Sequence, residues 1–322
     1  MGSPDIQLEV FTGENLFERE TNVERLIEGY LWERDVVMLL GSEKAGKSIL
    51  GLQMAANLST GTKFLDKYPC KQCAVLYLQV EGKKDETPIR LENINLAIPL
   101  DKTRFYRVYK KFLPLDILEF KVALEKTIEG LLVKPEVLII DCLYMSMSGD
   151  LNENQDTRRW IGATSEIFEK YKLTVVLIHH AKREIFFEGA KVEIGDKSSY
   201  GSVFWRANVD HIIYLDMKRD KTRTLSCETQ RSGKVADTES LILIQPTPLF
   251  FKTQSALTAS EETILWHLRK RPMTKIEIAE VTEYSDSTID RTIKCLAIAN
   301  FIDIKETLGG KHGSPLKIYA GI

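Results

Sequence analysis

The chain has 322 residues, roughly twice the usual size of one domain, which allows one large domain with an appendage or two domains. Its composition, 43% hydrophobic and 28% charged, is typical of a packed protein and excludes disordered, collagenous and low-complexity classes. With 44 Lys and Arg against 46 Asp and Glu, the formal net charge is −2, so any site for a polyanion has to be local.

The sequence predicts a cytoplasmic protein. No apolar run approaches the roughly 18 residues that a membrane span needs, and the first residues lack the basic and apolar regions of a signal peptide. Five cysteines, an odd number, favour free thiols in a reducing compartment. Cys70 and Cys73 form a CxxC pair, but without a second pair or a nearby His we interpret them as thiols leading into a strand.

Short, nearly continuous apolar runs predict strands that are buried on both faces, as in a parallel sheet covered by helices. These runs are residues 36–40, 74–80, 137–140 and 173–178. Helical spacing between them predicts helices over residues 47–58, 116–132 and 155–171. Three later runs, residues 209–215, 222–228 and 241–245, are separated by polar turns and predict an antiparallel edge.

The pattern changes after about residue 254. Helices are predicted over residues 260–269, 274–280 and 285–299, followed by two strands over 301–305 and 316–319. Three helices and a two-stranded wing are typical of a winged helix-turn-helix. We therefore expect an α/β domain over residues 1–250 and a winged-helix domain over 256–322, with a linker near 247–257.

Residues 41–48, GSEKAGKS, match the phosphate-binding motif GxxxxGK(S/T) and follow an apolar strand directly. Glycines let the loop turn backbone N–H groups toward phosphate oxygens, and the helix that follows adds a favourable potential for anions. Lys47 is expected to reach the β- and γ-phosphates of ATP, and the Ser48 hydroxyl to ligate Mg²⁺. The nucleotide-binding residues predicted in this way are Gly41, Ser42, Glu43, Lys44, Ala45, Gly46, Lys47, Ser48 and Ile49.

Two carboxylates stand at the ends of predicted strands. Asp141 ends the apolar run that begins at residue 137, which is the Walker B arrangement, and is predicted to join the magnesium shell. Glu81 follows the run over 74–80 and could orient and deprotonate the water that attacks the γ-phosphate. The competing interpretation for Glu81 is a solvated glutamate at a strand end.

Two further polar sites are candidates. His179 and His180 end another strand, and one of them, His179 by a small preference, could sense the γ-phosphate; the alternative is a hydrogen-bonded histidine at a strand end. Neighbouring strand residues point to opposite faces, which disfavours zinc binding by the pair. Arg231 lies on a turn, where it could act as an arginine finger or simply contact solvent.

These motifs, with LYLQVEG, LIIDCL, VLIHHAKR and TQRSG in this order, resemble the RecA-like ATPases, particularly the ring-forming replicative helicases of the RepA and DnaB type. The resemblance covers residues 26–245. It implies a RecA-like parallel sheet flanked by helices, a homohexameric ring, a catalytic role for Glu81 and an arginine finger at Arg231. One departure is Thr229, where the DnaB pattern has a basic residue.

In rings of this family, nucleic acid contacts loops after the Walker B strand and after the His strand, which correspond to residues 143–155 and 182–200. The second segment contains Lys182 and Arg183, but its four basic residues are matched by four acidic ones. Phe186 and Phe187 could stack on bases or pack at a subunit interface.

The predicted winged helix gives a similarly mixed signal. Its third helix offers Arg291 and Lys294 as contacts to DNA, yet residues 260–322 contain nine basic and nine acidic side chains. DNA contact and protein docking both stay open for this unit.

The motifs together predict an ATP- and Mg²⁺-dependent motor, a ring-forming DNA helicase or translocase that binds single-stranded or forked DNA. A replication protein is a possible partner through the winged helix. The first alternative is a regulatory ATPase of the KaiC or RadA-paralogue kind, switched by nucleotide. A DNA-binding regulator with a degenerate phosphate loop is disfavoured because Lys47 and Ser48 are intact, and a small-molecule kinase because no lid segment is evident.

Overall fold

The computed structural model describes residues 13, 23–180, 186–187, 190–191, 203–217, 223–229, 235–244, 250–253, 259–298, 301–307 and 316–321. In the first half of the chain the elements are, in order, β1 (Arg25–Ile27), β2 (Leu31–Trp32), β3 (Val36–Gly41), α1 (Lys47–Thr60), β4 (Val75–Gln79), α2 (Glu86–Asn95), β5 (Phe105–Tyr109), α3 (Leu118–Gly130), β6 (Val137–Asp141), a 3-10 helix (Leu143–Ser146), α4 (Asn154–Lys170) and β7 (Thr174–His180). The second half contains β8 (Phe186–Phe187), β9 (Ala190–Lys191), α5 (Val203–Asn208), β10 (His211–Met217), β11 (Arg223–Thr229), β12 (Glu239–Ile244), β13 (Phe250–Thr253), α6 (Ala259–Lys270), β14 (Met273–Thr274), α7 (Lys275–Thr282), α8 (Asp286–Ile298), β15 (Ile302–Thr307) and β16 (Leu316–Gly321).

One large sheet organises the molecule. Its strand order within the described residues is β13-β12-β11-β10-β3-β7-β6-β4-β5. The strands from β10 to β5 in this order run parallel, whereas β11, β12 and β13 continue the sheet antiparallel. The predicted architecture, a parallel sheet flanked by helices with an antiparallel edge, is confirmed.

Successive residues of the central strands point alternately into two separate hydrophobic cores, one on each face of the sheet. Leu39 and Ile139 belong to the cluster on the face of α1 and α2, whereas Leu40 and Ile140 belong to the cluster on the face of α3 and α4. Because both faces are covered by helices, most positions in these strands are apolar, which is why the sequence shows nearly continuous runs. The carboxyl ends of the parallel strands all lie at one edge, where the predicted site residues follow them.

Sequence patterning missed β5 and α2. All five residues of β5 are half-buried, because this strand is the edge of the sheet and has a neighbour on one side only. The search for runs buried on both faces therefore passes over it. In α2 only Thr87 and Ile94 are buried, which leaves too weak a periodicity to identify a helix.

The C-terminal residues form a unit of α6, α7 and α8 with the three-stranded sheet β14-β16-β15. Its apolar cluster includes Ile264, Ile278 and Leu296, together with Ile244 from β12. The helices lie within two residues of the predicted ones, while the assignment of this unit as a winged helix stays a prediction. None of the described helices combines the length and apolar composition needed to cross a bilayer.

The predicted linker over residues 247–257 needs a correction. Residues 250–253 form β13, which pairs with β12 in the large sheet. Phe251 in this strand is fully buried in the core on the α1 face. The polar and proline-containing flanks of this short segment concealed a strand that pairs with its sequence neighbour β12 and also contacts Gln53 of α1, 198 residues away in the sequence.

Candidate nucleotide site at the carboxyl edge of the sheet

The loop between β3 and α1 places backbone donors and a lysine around one space. Gly46, the residue before α1, has a φ of 103°, which glycine adopts without strain. Among the described residues no side chain caps the start of α1, and helix N-termini present N–H groups of the kind that bind phosphate oxygens. Lys47 Nζ donates hydrogen bonds to the carbonyl oxygens of Gly41 and Ser42, each at 2.9 Å. Residues 41–49 thus form a single loop and the first turn of α1.

Lys47 is 4% exposed, and its burial lowers the pKa of its ammonium group. The negative charges of Asp141 and Glu81 act in the opposite direction and raise that pKa. Both carboxylates therefore lie close enough to Lys47 to interact with it electrostatically. A third charge of the same sign, a phosphate, would further stabilise the ammonium form.

Two residues from the antiparallel part of the sheet hold this loop, and sequence reasoning missed both. Arg223 Nε on β11 donates to the carbonyl oxygen of Ala45 at 2.8 Å. The ring of Phe251 on β13 lies so near Gly46 that a Cβ added there would be 2.7 Å from Cζ. Gln53 of α1 accepts from the Phe251 N–H at 2.6 Å and donates to its carbonyl oxygen at 2.8 Å. No local motif marks these residues, because the contacts join distant parts of the chain.

Asp141 and Ser48, the two predicted magnesium ligands, are brought together. Asp141 is buried, with 8% of its surface exposed, and its carboxylate accepts hydrogen bonds from the Ser48 hydroxyl and from Tyr77. The Tyr77 hydroxyl lies 2.5 Å from Asp141 Oδ2. Burial raises the pKa of Asp141, while the hydrogen bonds from Tyr77 and Ser48 lower it. The peptide bond from Asp141 to Cys142 is cis.

Glu81 lies at the same edge, immediately after β4. Its side chain is exposed, its charge raises the pKa of Asp141, and it is hydrogen-bonded to the Cys142 thiol. Burial, with smaller effects from Glu81, raises the pKa of the Cys142 thiol well above its usual range. Cys142 is therefore neutral at physiological pH and presents its S–H to the carboxylate as a weak donor.

The backbone around Glu81 is held by a pair of polar side chains from β4 and β5. Gln79 Nε2 donates to the carbonyl oxygens of Glu81 at 3.2 Å and of Lys83 at 2.8 Å. Arg107 Nη1 donates to Gln79 Oε1 at 2.8 Å and to the carbonyl oxygen of Lys84 at 3.0 Å. Gln79 is only 3% exposed, so this clamp is built into the sheet edge.

His179 is not brought to the same face as Asp141 by the strand register. Asp141 pairs with Ile178, and His179 pairs with Leu40. Since paired residues share a face and successive residues alternate, His179 lies on the face of α3 and α4. The register therefore does not support the preference for His179 over its neighbour as the γ-phosphate sensor, and that role stays a prediction.

The structure describes two of the remaining predicted site residues. Arg291 and Lys294 are exposed on α8. Arg231, Lys182 and Arg183 lie outside the described residues, so their predicted roles are untested. Cys70 and Cys73 are free thiols, and burial raises the pKa of each to about 12, which fits inert thiols.

The arrangement fits a magnesium nucleotide. Ser48 and Asp141 supply adjoining oxygen ligands, which suit a hard divalent cation that keeps several of its waters. Lys47 and the start of α1 supply positive potential for the phosphates. Glu81 supplies an exposed carboxylate near Lys47 and Asp141. Among the described residues, no group of three or more His, Cys, Asp or Glu side chains has the arrangement that a zinc site needs.

The phosphate loop, Glu81 and Asp141 all lie in a segment that matches a protein-family model. The model of the AAA domain family, AAA_25, matches residues 5–184, which is more than half of the chain. No curated protein matches the sequence. Among solved structures, a KaiC-like protein from the hyperthermophilic archaeon Pyrococcus horikoshii OT3 is similar over 71% of this chain and 93% of that one, with 12% sequence identity and a TM-score of 0.48.

Proposed function

Because the chain belongs to the AAA domain family of P-loop ATPases, we propose that it is a ring-forming motor that hydrolyses ATP to move along DNA. The observation that supports this proposal most directly is the meeting of Lys47, Ser48, Asp141 and Glu81 at one sheet edge. A cation, a hydroxyl and two carboxylates in this arrangement are what water attack on a bound triphosphate requires.

Each residue has a defined task in this proposal. Lys47 and the first N–H groups of α1 hold the β- and γ-phosphates. Ser48 and Asp141 hold Mg²⁺, which when bound would neutralise phosphate charge. Glu81 accepts a proton from the attacking water, and its exposure leaves room for that water beside the phosphate.

The proposal extends to the assembly. Arg231 would enter the site of a neighbouring copy and offset the charge that develops on the transferred phosphoryl group. The copies would form a homohexamer, in which the segments 143–155 and 182–200 face DNA and Lys182 and Arg183 contact phosphates. We propose the C-terminal unit as a winged helix that binds DNA through Arg291 and Lys294 or docks a replication partner.

The decisive test replaces the general base alone. Glu81→Gln is expected to bind a fluorescent ATP analogue as tightly as the wild type while hydrolysis falls by about 100-fold or more, because general-base catalysis contributes about 10²–10⁴-fold. Glu86→Gln makes the same change of charge five residues further along and is expected to hydrolyse ATP normally. Undiminished hydrolysis by Glu81→Gln would remove Glu81 from this role.

Two measurements address the ring. Native mass spectrometry with and without a non-hydrolysable nucleotide gives the number of copies. Mixing Arg231→Ala subunits into wild-type rings is expected to lower hydrolysis more steeply than in proportion to their share, since each Arg231 would serve a neighbour's site. A fully active monomer would contradict the proposed assembly.

Strand displacement separates the motor from a nucleotide-switched regulator. A motor is expected to unwind a forked duplex in an ATP-dependent manner and to hydrolyse ATP faster with single-stranded DNA. A regulator would hydrolyse ATP without displacing the strand, and its assembly would respond to nucleotide instead.

A further inference from the structure

A group of lysines beside the Glu81 loop is used by none of the steps above. Lys83 and Lys84 follow Glu81 on the loop after β4, and Lys110 and Lys111 follow β5. All four side chains are exposed. We call these four residues the lysine surface.

The two halves of the lysine surface are fixed next to each other. The Arg107 guanidinium of β5 reaches the carbonyl oxygen of Lys84 at 3.0 Å, and the Tyr109 hydroxyl donates to that of Gly82 at 3.4 Å. The Lys110 N–H donates to the carbonyl oxygen of Gln79 at 3.1 Å. The loop after β4 and the end of β5 therefore present their lysines at a single edge of the sheet.

The charge of this surface is not neutralised by ion pairs. None of the four lysines contacts a carboxylate in the described structure, whereas Lys71 and Lys170 are each paired with glutamates. Between Asp101 and Asp116 the sequence holds five basic residues and no acidic one. Lys83 and Lys84 are flanked by Glu81, Asp85 and Glu86, so in a chain of net charge −2 the local excess of positive charge is greatest at the end of β5.

Aromatic rings accompany the lysines. Tyr109 is half-buried, and Phe112, next to Lys111, is 46% exposed. Beyond it the chain is joined to the segment after β6: the Leu113 N–H donates to the carbonyl oxygen of Met145 at 3.1 Å. Exposed lysines next to an exposed aromatic ring suit a single strand, because the lysines meet phosphates and the ring stacks on a base.

We propose that the lysine surface binds the phosphates of single-stranded nucleic acid and that Phe112 stacks on one of its bases. This inference rests on the proposed motor function and places the strand directly beside the loop that carries Glu81. Strand binding there would act on hydrolysis through the backbone of residues 81–84, which Gln79 and Arg107 hold.

The test uses the full chain and a fluorescently labelled oligothymidylate, with binding measured by anisotropy over a range of salt concentrations. Two double variants remove one half of the surface each, Lys83→Ala with Lys84→Ala and Lys110→Ala with Lys111→Ala. The control, Lys63→Ala with Lys126→Ala, removes the same charge from two exposed lysines elsewhere. Thermal unfolding verifies that all variants are folded.

Loss of two phosphate contacts is expected to flatten the plot of log affinity against log salt by about 1.4, since each contact to a single strand contributes about 0.7 to the slope. The control is expected to keep the wild-type slope. Phe112→Leu keeps an apolar side chain but no ring, and is expected to weaken binding by about tenfold with an unchanged slope.

Other outcomes overturn the inference in distinguishable ways. If the double variants bind as the control does, the lysine surface is not the binding site and the proposed ATPase is unaffected. If the wild type hydrolyses ATP but binds no oligothymidylate, the proposed nucleic-acid binding by the lysine surface and the proposed motor function are both wrong. The proposed ATP hydrolysis still stands. If polyglutamate competes as well as unlabelled oligothymidylate, the occupant is an acidic polypeptide and not a nucleic acid.

Discussion

Arg107 on the edge strand β5 donates a hydrogen bond to Gln79 Oε1 at 2.8 Å, and through this pair the edge of the sheet holds the backbone of Glu81, the proposed general base. The other end of the Gln79 amide donates to the carbonyl oxygens of Glu81 and Lys83. Glu81 itself is exposed, so its position depends on the backbone that these two side chains fix. In the proposed reaction, Gln79 and Arg107 would therefore act as positioning residues for Glu81.

Gln79→Ala is expected to lower kcat for ATP hydrolysis by about tenfold or more and to leave KM nearly unchanged, since small displacements of a catalytic group can lower rates by about 100-fold. The matched control is Gln72→Ala, because Gln72 Nε2 likewise donates to a backbone carbonyl, that of Ser59 at 3.1 Å, away from Glu81. Steady-state kinetics at saturating Mg²⁺ measure both constants. An equal loss in both variants would show that Gln79 acts only through stability.

Tyr77→Phe is expected to make magnesium dependence more sensitive to acid. The Tyr77 hydroxyl lowers the pKa of Asp141, which burial has raised, so removing the hydroxyl raises that pKa further. A carboxyl group must be ionised to help hold Mg²⁺, and its ionised fraction falls as the pH falls toward its pKa. The variant should therefore lose magnesium affinity at a higher pH than the wild type.

The measurement for Tyr77→Phe is the half-saturating Mg²⁺ concentration for ATP hydrolysis, followed from neutral to acid pH. Tyr106→Phe is the control, because the Tyr106 hydroxyl donates to the carbonyl oxygen of Thr103, just before β5, at 2.8 Å and away from Asp141. Parallel pH profiles for wild type and Tyr77→Phe would contradict a role for Tyr77 in setting the charge of Asp141.

The sequence was sufficient to predict the phosphate loop and the strand-end carboxylates, for two physical reasons. Residues 41–49 are contiguous in the sequence, so a local motif identifies every residue of the phosphate loop. Asp141 and Glu81 follow strands whose carboxyl ends meet at one edge in any parallel sheet, so strand order alone brings them together.

The supporting residues could not be predicted in this way. Tyr77 and Gln79 lie within a strand and look like ordinary sheet residues until the neighbouring strands are known. Arg107 lies on an edge strand whose half-burial hides it from a search for apolar runs. The face of the sheet on which His179 lies is set by the register of β7 against β3. The sequence, with two adjacent histidines, does not show which of the two lies on which face.

In the C-terminal unit, Glu277 is expected to stabilise the start of α7 in a pH-dependent manner. Its carboxylate accepts from Arg271 Nη1 at 2.7 Å and from the Thr274 N–H at 2.7 Å, forming a capping box. Arg271 and then Thr274 lower the pKa of Glu277 from 4.5 to about 2. A lowered folded-state pKa means that this stabilisation is fully present above about pH 4.5 and disappears as the pH falls through about 2.

At neutral pH, Glu277→Gln should therefore reduce the hydrogen-exchange protection of α7 amides relative to the wild type. At a pH near 2, where Glu277 becomes protonated, the protection of the two proteins should be nearly the same. Glu280→Gln, an exposed change in the same helix, is expected to have no such effect. A protection difference that persists unchanged at the lowest pH would mean that the charge of Glu277 is not its cause.

Arg223 and the phosphate loop give the last prediction. The guanidinium holds the Ala45 carbonyl at 2.8 Å, and Phe251, whose ring is 5.8 Å from Arg223 Cζ, packs on Gly46. Without Arg223 the loop keeps its sequence but loses a charge-assisted hydrogen bond that orients its backbone, a contribution of about 1.5–3 kcal/mol.

Arg223→Ala is expected to raise the Kd of a fluorescent ATP analogue by about tenfold, which corresponds to about 1.4 kcal/mol. Arg104→Ala, which breaks an exposed contact to Asp101 at 2.9 Å, is the control and should bind nucleotide normally. Unchanged nucleotide affinity in Arg223→Ala would show that Phe251 and Gln53 alone suffice to hold the loop in its binding geometry.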